Sequence, residues 1–137
     1  MAKATLKSIA VMTGGGDCPG LNAVIRAVTK TAINKHDLTV WGIQDGYLGL
    51  IENRIDPLTY QQTSNILTVG GTILGSSNTS DPFNFAVKAG EKTERKDVSD
   101  RCLDHLKERD IDALVCIGGD GTMASAAKFA RKGLTVI

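Results

Sequence analysis

The sequence predicts an α/β fold, an open and mostly parallel sheet with helices on both faces, and three observations lead to it. Apolar runs of strand length recur along the chain, two of them lead straight into glycine-rich turns, and apolar residues at helical spacing follow each turn. Alternation of buried strands with amphipathic helices is the pattern of a parallel sheet whose crossovers cover both faces.

Ser8 to Met12 reads as a short buried strand, and Thr13-Gly14-Gly15-Gly16-Asp17-Cys18-Pro19-Gly20 interrupts it. Leu21, Val24, Ile25, Val28 and Ala32 then follow the i, i+3, i+4, i+7 spacing of a helix. Leu38 to Ile43 gives a second strand, completing a βαβ unit whose crossover is expected to be right-handed. From Pro57 to Val87 the only charged residue is Asp81, and Gly70 to Thr79 is a neutral, glycine-flanked loop of a kind that can approach a ligand closely. Lys88 to Asp110 carries seven charges of each sign, with Val98, Cys102, Leu103 and Leu106 on one face, and reads as a solvated helix with its approach loop. Ile111 to Ile117 is a third buried strand. Gly118-Gly119-Asp120-Gly121-Thr122 follows it and opens a helix from about Met123 to Arg131. Leu134 to Ile137 reads as one more strand.

Composition narrows the function. Sixteen Lys and Arg against 15 Asp and Glu leave a formal charge of +1, which argues against a nucleic-acid partner bound by phosphate neutralisation. The three cysteines form no CxxC pair and an odd count, which suggests neither a disulfide framework nor a zinc site. Ile9 to Met12 is too short for a signal sequence or a membrane span, so no membrane association and a cytoplasmic location are expected. Cys18 and Cys116 read as small packing residues. His36 and His105 read as surface helix residues. Trp41 and Tyr47, flanking a turn at Asp45-Gly46, fit core packing or loop anchoring better than an adenine platform.

The two strand-glycine-helix segments carry the chemistry. Glycine lets backbone N–H groups close on phosphate oxygens, and the following helix N-terminus adds unpaired N–H groups and a favourable dipole. Neither segment has the GxxxxGK[ST] or GxGxxG spacing, and no lysine follows the glycines, so a divalent ion is expected to balance the phosphate charge. Asp120 suits magnesium, which takes one or two carboxylates plus phosphates and waters. The competing reading makes Asp120 a helix cap, with Thr122 sharing that role. For Gly14 to Gly16 the competing reading is a tight turn. Asp17 would pair with a basic partner or cap the helix.

Thr13 to Ala27 (TGGGDCPGLNAVIRA), Gly42 to Leu50 (GIQDGYLGL), Gly70 to Ser77 (GGTILGSS) and Ile117 to Thr122 (IGGDGT) closely resemble, in order and spacing, the N-terminal part of the 6-phosphofructokinase family. GGDGT alone is shared with NAD kinases and diacylglycerol kinases, but the four segments together are specific and cover nearly the whole chain. The resemblance implies a Rossmann-like three-layer domain, present over 1–137 as its N-terminal ATP-binding part and ending before the segment that supplies the catalytic base. It implies γ-phosphoryl transfer from Mg-ATP to the 1-hydroxyl of fructose 6-phosphate, a glycolytic step, by a cytoplasmic homo-oligomer.

Carried over by matching residues, Gly16, Asn78, Thr79, Gly119, Asp120, Gly121 and Thr122 would bind nucleotide, and Asp120 would serve Mg2+. No catalytic residue falls inside the chain, which is expected to be inactive alone. Gly121 favours ATP over pyrophosphate, because pyrophosphate users of the family tend to carry a second aspartate there. Asn78 stands where the bacterial pattern has an arginine bridging the transferring phosphate. Arg26 matches an effector-site arginine and Lys30 replaces another, but the arginine expected near Tyr60 is missing, so the familiar effector control is not expected. The alternatives are a non-catalytic nucleotide-binding module or a pyrophosphate-dependent phosphofructokinase.

Overall fold

The computed structural model describes residues 5–16 and 18–137. Its centre is a five-stranded sheet in the order β3-β2-β1-β6-β7. The strands are β1 (Ser8–Thr13), β2 (Thr39–Ile43), β3 (Ile55–Pro57), β6 (Ala113–Ile117) and β7 (Thr135–Val136), and β4 (Phe85–Ala89) and β5 (Lys92–Lys96) form a separate hairpin. The helices are α1 (Leu21–His36), α2 (Tyr47–Glu52), α3 (Ser99–Lys107) and α4 (Asp120–Arg131). Strands β2, β1, β6 and β7 are mutually parallel and β3 runs antiparallel to β2.

Strand side chains alternate between two cores, as period-two geometry requires. On β1, Ala10 and Met12 join one core while Ile9 and Val11 join the other, and on β6 Leu114 and Cys116 separate in the same way from Ala113 and Val115. The first core is covered by α2, α3 and α4 through Leu50, Cys102, Leu106 and Phe129. The second is covered by Ile25 and Ala32 of α1 and by Leu58, Ile66 and Leu74 of the segment that follows β3. The result is the expected three-layer α/β arrangement.

The structure departs from expectation in several places. Lys88 to Asp110 divides into most of the β4–β5 hairpin and then α3, because β5 is exposed along its whole length and lacks the half-buried alternation that marks a strand. The anticipated helical face on α3 holds: Cys102 and Leu106 are buried, with Val98 at the cap position. Helix α4 starts at Asp120 rather than near Met123, with Gly119 at its N-cap. Helix α2 and the three-residue β3 were not anticipated. Asp17 lies outside the described residues.

Strands β1 and β6 are neighbours, with Thr13 opposite Ile117 at their carboxyl ends. The chain leaves β1 for α1 on one face and leaves β6 for α4 on the other. That divergence opens a crevice at the point where the strand order reverses, the usual ligand position in open parallel sheets.

Candidate active site

A cleft of about 460 Å³ lies at this edge, bounded by the loop after β1 at Gly15, by Ser77 to Asp81, and by the start of α4. The two glycine loops are tied together by a hydrogen bond from the Gly14 N–H to the Ile117 carbonyl, 2.8 Å long. Of the expected site residues, Asn78, Thr79, Gly119, Gly121 and Thr122 line the cleft. Gly16 is exposed in the loop beside it, and Asp120 is exposed as the first residue of α4.

The glycines divide by what their Cα atoms face. A Cβ on Gly14 would collide with the Thr122 side chain, and one on Gly118 would sit 2.5 Å from Thr122 Oγ1 and 2.9 Å from the Gly14 carbonyl oxygen. Gly15 has a φ of +78°, a backbone conformation that favours glycine. These three are required by the fold. Gly16, Gly119 and Gly121 have φ outside the left-handed region and only open space where a Cβ would stand. Nothing among the described residues demands glycine at those three positions.

Thr122 is buried with its side chain wedged against Gly14 and Gly118, so what it offers a ligand is mainly backbone. The Gly119 N-cap makes no side-chain capping bond, and Asp120, inside the helix, does not cap it. The first N–H groups of α4 therefore stay available at the cleft. Asp120 takes part in none of the ion pairs among the described residues. No group of three or more His, Cys, Asp or Glu that could hold a metal forms among the described residues. One free carboxylate beside uncapped helix amides fits magnesium carried in on a polyphosphate.

The facing wall is hydroxyl-rich. Ser77 Oγ lies 3.2 Å from Ser80 Oγ and 3.4 Å from Thr79 Oγ1. Asp81 Oδ1 accepts from the Phe83 N–H at 2.9 Å and from Ser125 Oγ at 3.4 Å. Sequence reasoning missed Ser125 and Lys128, although Gly121, Ala124, Ser125 and Lys128 share the i, i+3, i+4, i+7 face that α4 turns to the cleft. Lys128 also reaches over the Phe83 ring, 5.1 Å from its centroid, and brings a positive charge to the wall where Asn78 brings none.

Tyr47 lines the cleft yet belongs to the core: it is 4% exposed, lies 6.0 Å from the Phe129 ring, and its hydroxyl donates to the Thr122 carbonyl. Trp41 sits on β2 and donates from Nε1 to Ser8 Oγ at 3.0 Å. Cys116 is buried as expected, whereas Cys18 is exposed rather than a packing residue of the core. His36 is exposed, but His105 is half-buried and its Nδ1–H meets the Leu50 carbonyl at 2.8 Å, joining α3 to α2. No described helix is long and apolar enough to cross a membrane.

A crevice at the switch point of a parallel sheet, bordered by uncapped helix amides and bare glycines, gives the chain the architecture of the open α/β proteins, whose ligands sit at the carboxyl ends of the strands. The phosphofructokinase family model matches residues 8–137, and the chain belongs to that family. It is 53% identical over 133 residues to ATP-dependent 6-phosphofructokinase 2 of Clostridium perfringens, a match covering 96% of this chain and 36% of the relative. It is 43% identical over 129 residues to ATP-dependent 6-phosphofructokinase 3 of Bacteroides thetaiotaomicron, covering 94% and 37% respectively. The Pichia pastoris phosphofructokinase crystal structure superposes with a TM-score of 0.80 at 30% identity, over 96% of this chain and 13% of that one. The chain thus spans a little over a third of the length of the curated relatives it matches.

Proposed function

We propose that these residues form the ATP-binding part of a 6-phosphofructokinase that transfers the γ-phosphoryl of Mg-ATP to the 1-hydroxyl of fructose 6-phosphate. The observation that carries this reading is the set of glycines the fold does not require: Gly16, Gly119 and Gly121 leave backbone N–H groups unshielded at the cleft. Phosphoryl transfer is largely a matter of positioning and charge stabilisation, which backbone amides supply without reorganisation.

In the transfer, the bond from the γ-phosphorus to the β,γ-bridging oxygen breaks as the sugar 1-oxygen bonds to phosphorus. The hydroxyl proton passes to a base supplied from outside these 137 residues. Gly16 and Gly119 to Thr122 would hold the phosphates through their amides, and Asn78 and Thr79 would hydrogen-bond the transferring group. Asp120 would hold magnesium, which neutralises phosphate charge when bound. Open space at Gly121 supports ATP as donor, since a carboxylate there would meet the α-phosphate.

The whole enzyme is proposed to be a cytoplasmic homo-oligomer with no nucleic-acid or membrane partner. A coupled assay for fructose 1,6-bisphosphate tests the reading: the whole protein yields product with Mg-ATP, and the 137-residue chain yields none. Product with Mg-pyrophosphate but not with Mg-ATP would replace the donor assignment. Nucleotide binding without product from the whole protein would leave a non-catalytic module.

A further inference from the structure

Between β3 and β4 the chain runs 27 residues, 58–84, with no helix or strand, and this stretch contains the wall of the cleft from Ser77 to Asp81. Such a segment has no strand ladder, and its backbone bonds to the rest of the fold are few, among them the Asp45 N–H to the Leu74 carbonyl at 2.7 Å, so side chains help to fix its course. Two buried polar side chains do so from behind. Asn22, 1% exposed, donates from Nδ2 to the carbonyls of Val69 at 3.0 Å and Gly70 at 3.3 Å, and accepts at Oδ1 from the Ile73 N–H at 2.7 Å. Thr13, fully buried at the end of β1, donates from Oγ1 to the Gly75 carbonyl at 2.7 Å and meets Thr72 Oγ1 at 2.8 Å.

We propose that Asn22 is a positioning residue for phosphoryl transfer: with Thr13 it clasps residues 69–75 so that Asn78 and Thr79 meet the transferring phosphate in register with the glycine loops. The proposal rests on the ATP-dependent reading above. Neither Asn22 nor Thr13 lines the cleft, so both act through the loop. Asn22 is the second residue of α1, between the buried Leu21 and the amphipathic run, and asparagine is a poor helix former there. Leucine would extend the apolar face but would leave two carbonyls and one N–H of the loop without these partners. The clasp spans 47 to 62 residues of sequence and joins the first ligand loop to the third matching segment.

The geometry also says which step depends on the clasp. Gly119 to Thr122 are held by other contacts, the Thr122 wedge and the Tyr47 hydroxyl, so most of the phosphate grip survives loss of Asn22. Misplacement then falls on the groups facing the transferring phosphate and slows the chemical step more than it weakens ATP binding.

The test uses the whole protein. Asn22→Ala should lower kcat about 10- to 100-fold while KM for ATP changes less than about threefold, the signature of an interaction felt mainly in the transition state. Thr13→Val should behave alike, and Thr13→Ser, which keeps the hydroxyl, should restore the wild-type kcat. Unchanged kcat with only a lower melting temperature, or a loss of kcat matched by an equal rise in KM, would overturn the proposal. Should Asn22→Ala fail to fold, Asn22→Asp, which keeps the acceptor for Ile73, is judged by the same criteria. A wild-type protein that makes no product refutes the functional reading instead. Amide exchange then decides the clasp: faster exchange at Ile73, Leu74 and Gly75 in Asn22→Ala upholds it, and unchanged exchange overturns it.

Discussion

The Tyr47 hydroxyl donates to the Thr122 carbonyl at 2.8 Å, joining the start of α2 to the first turn of α4. Thr122 is also the residue whose side chain fills the notch between Gly14 and Gly118, so one residue is held from both sides. Burial pushes the Tyr47 phenol well above its ordinary range, and the neighbouring Cys116 thiol adds to the shift, so it remains a donor at any working pH. Tyr47→Phe keeps the ring against Phe129 and removes only the hydroxyl. It should cost about 1 kcal/mol in urea unfolding, and an unchanged midpoint would mean that the bond contributes nothing.

The notch itself makes a second prediction. Gly118→Ala places a Cβ within 3 Å of both Thr122 and the Gly14 carbonyl, and the latter is backbone that cannot swing away. Stability should fall by about 1–3 kcal/mol, as overpacking against the buried Thr122 side chain does. Gly118→Ala combined with Thr122→Ala, which removes the nearest colliding atom, Thr122 Oγ1, should lose less than the two single substitutions added together in the same denaturation experiment.

Asp120→Asn tests the metal assignment. Nucleotide binding should weaken at least roughly tenfold in magnesium and change little in EDTA, as measured by calorimetric titration. Equal loss in both media would reduce Asp120 to a general electrostatic contributor at the α4 terminus.

The thiols give a pH prediction. Burial pushes Cys102 up to about 12 and Cys116 up to about 11 from an ordinary 9.0, while Cys18 is exposed. At pH 8 iodoacetamide should label Cys18 alone in the folded protein, read by mass spectrometry. A folded pKa above the unfolded value means that the native state keeps protons the unfolded chain has lost. The stabilisation is therefore complete below pH 9 and is lost as pH climbs through 11 to 12. Thermal melts should fall over that window, and Cys102→Ala should flatten part of the slope.

Much of this was legible in the sequence because the central elements obey simple periods. The strands β1 and β6 are apolar on both faces, and α1 and α4 repeat at 3.6 residues, so fold class and loop positions followed. The hairpin was hidden because Lys92–Lys96 is exposed throughout and reads as a solvated run. Asn22 was hidden because it sits within a helical pattern whose meaning lies in a loop 47 to 51 residues away. The three consecutive glycines at 14, 15 and 16 look alike in sequence; only the folded chain separates one that avoids Thr122, one with positive φ and one facing open space.

That separation supports the central claim, that Gly121 is kept bare for a ligand and not for the fold. Gly121→Ala in the whole protein, followed by unfolding and by Mg-ATP titration, tests it most directly. Open space and a helical position predict unchanged or slightly higher stability, by about 0.5 kcal/mol, together with ATP affinity lowered at least roughly tenfold by the methyl group at the phosphate approach. Wild-type ATP affinity in the stable variant would contradict the account.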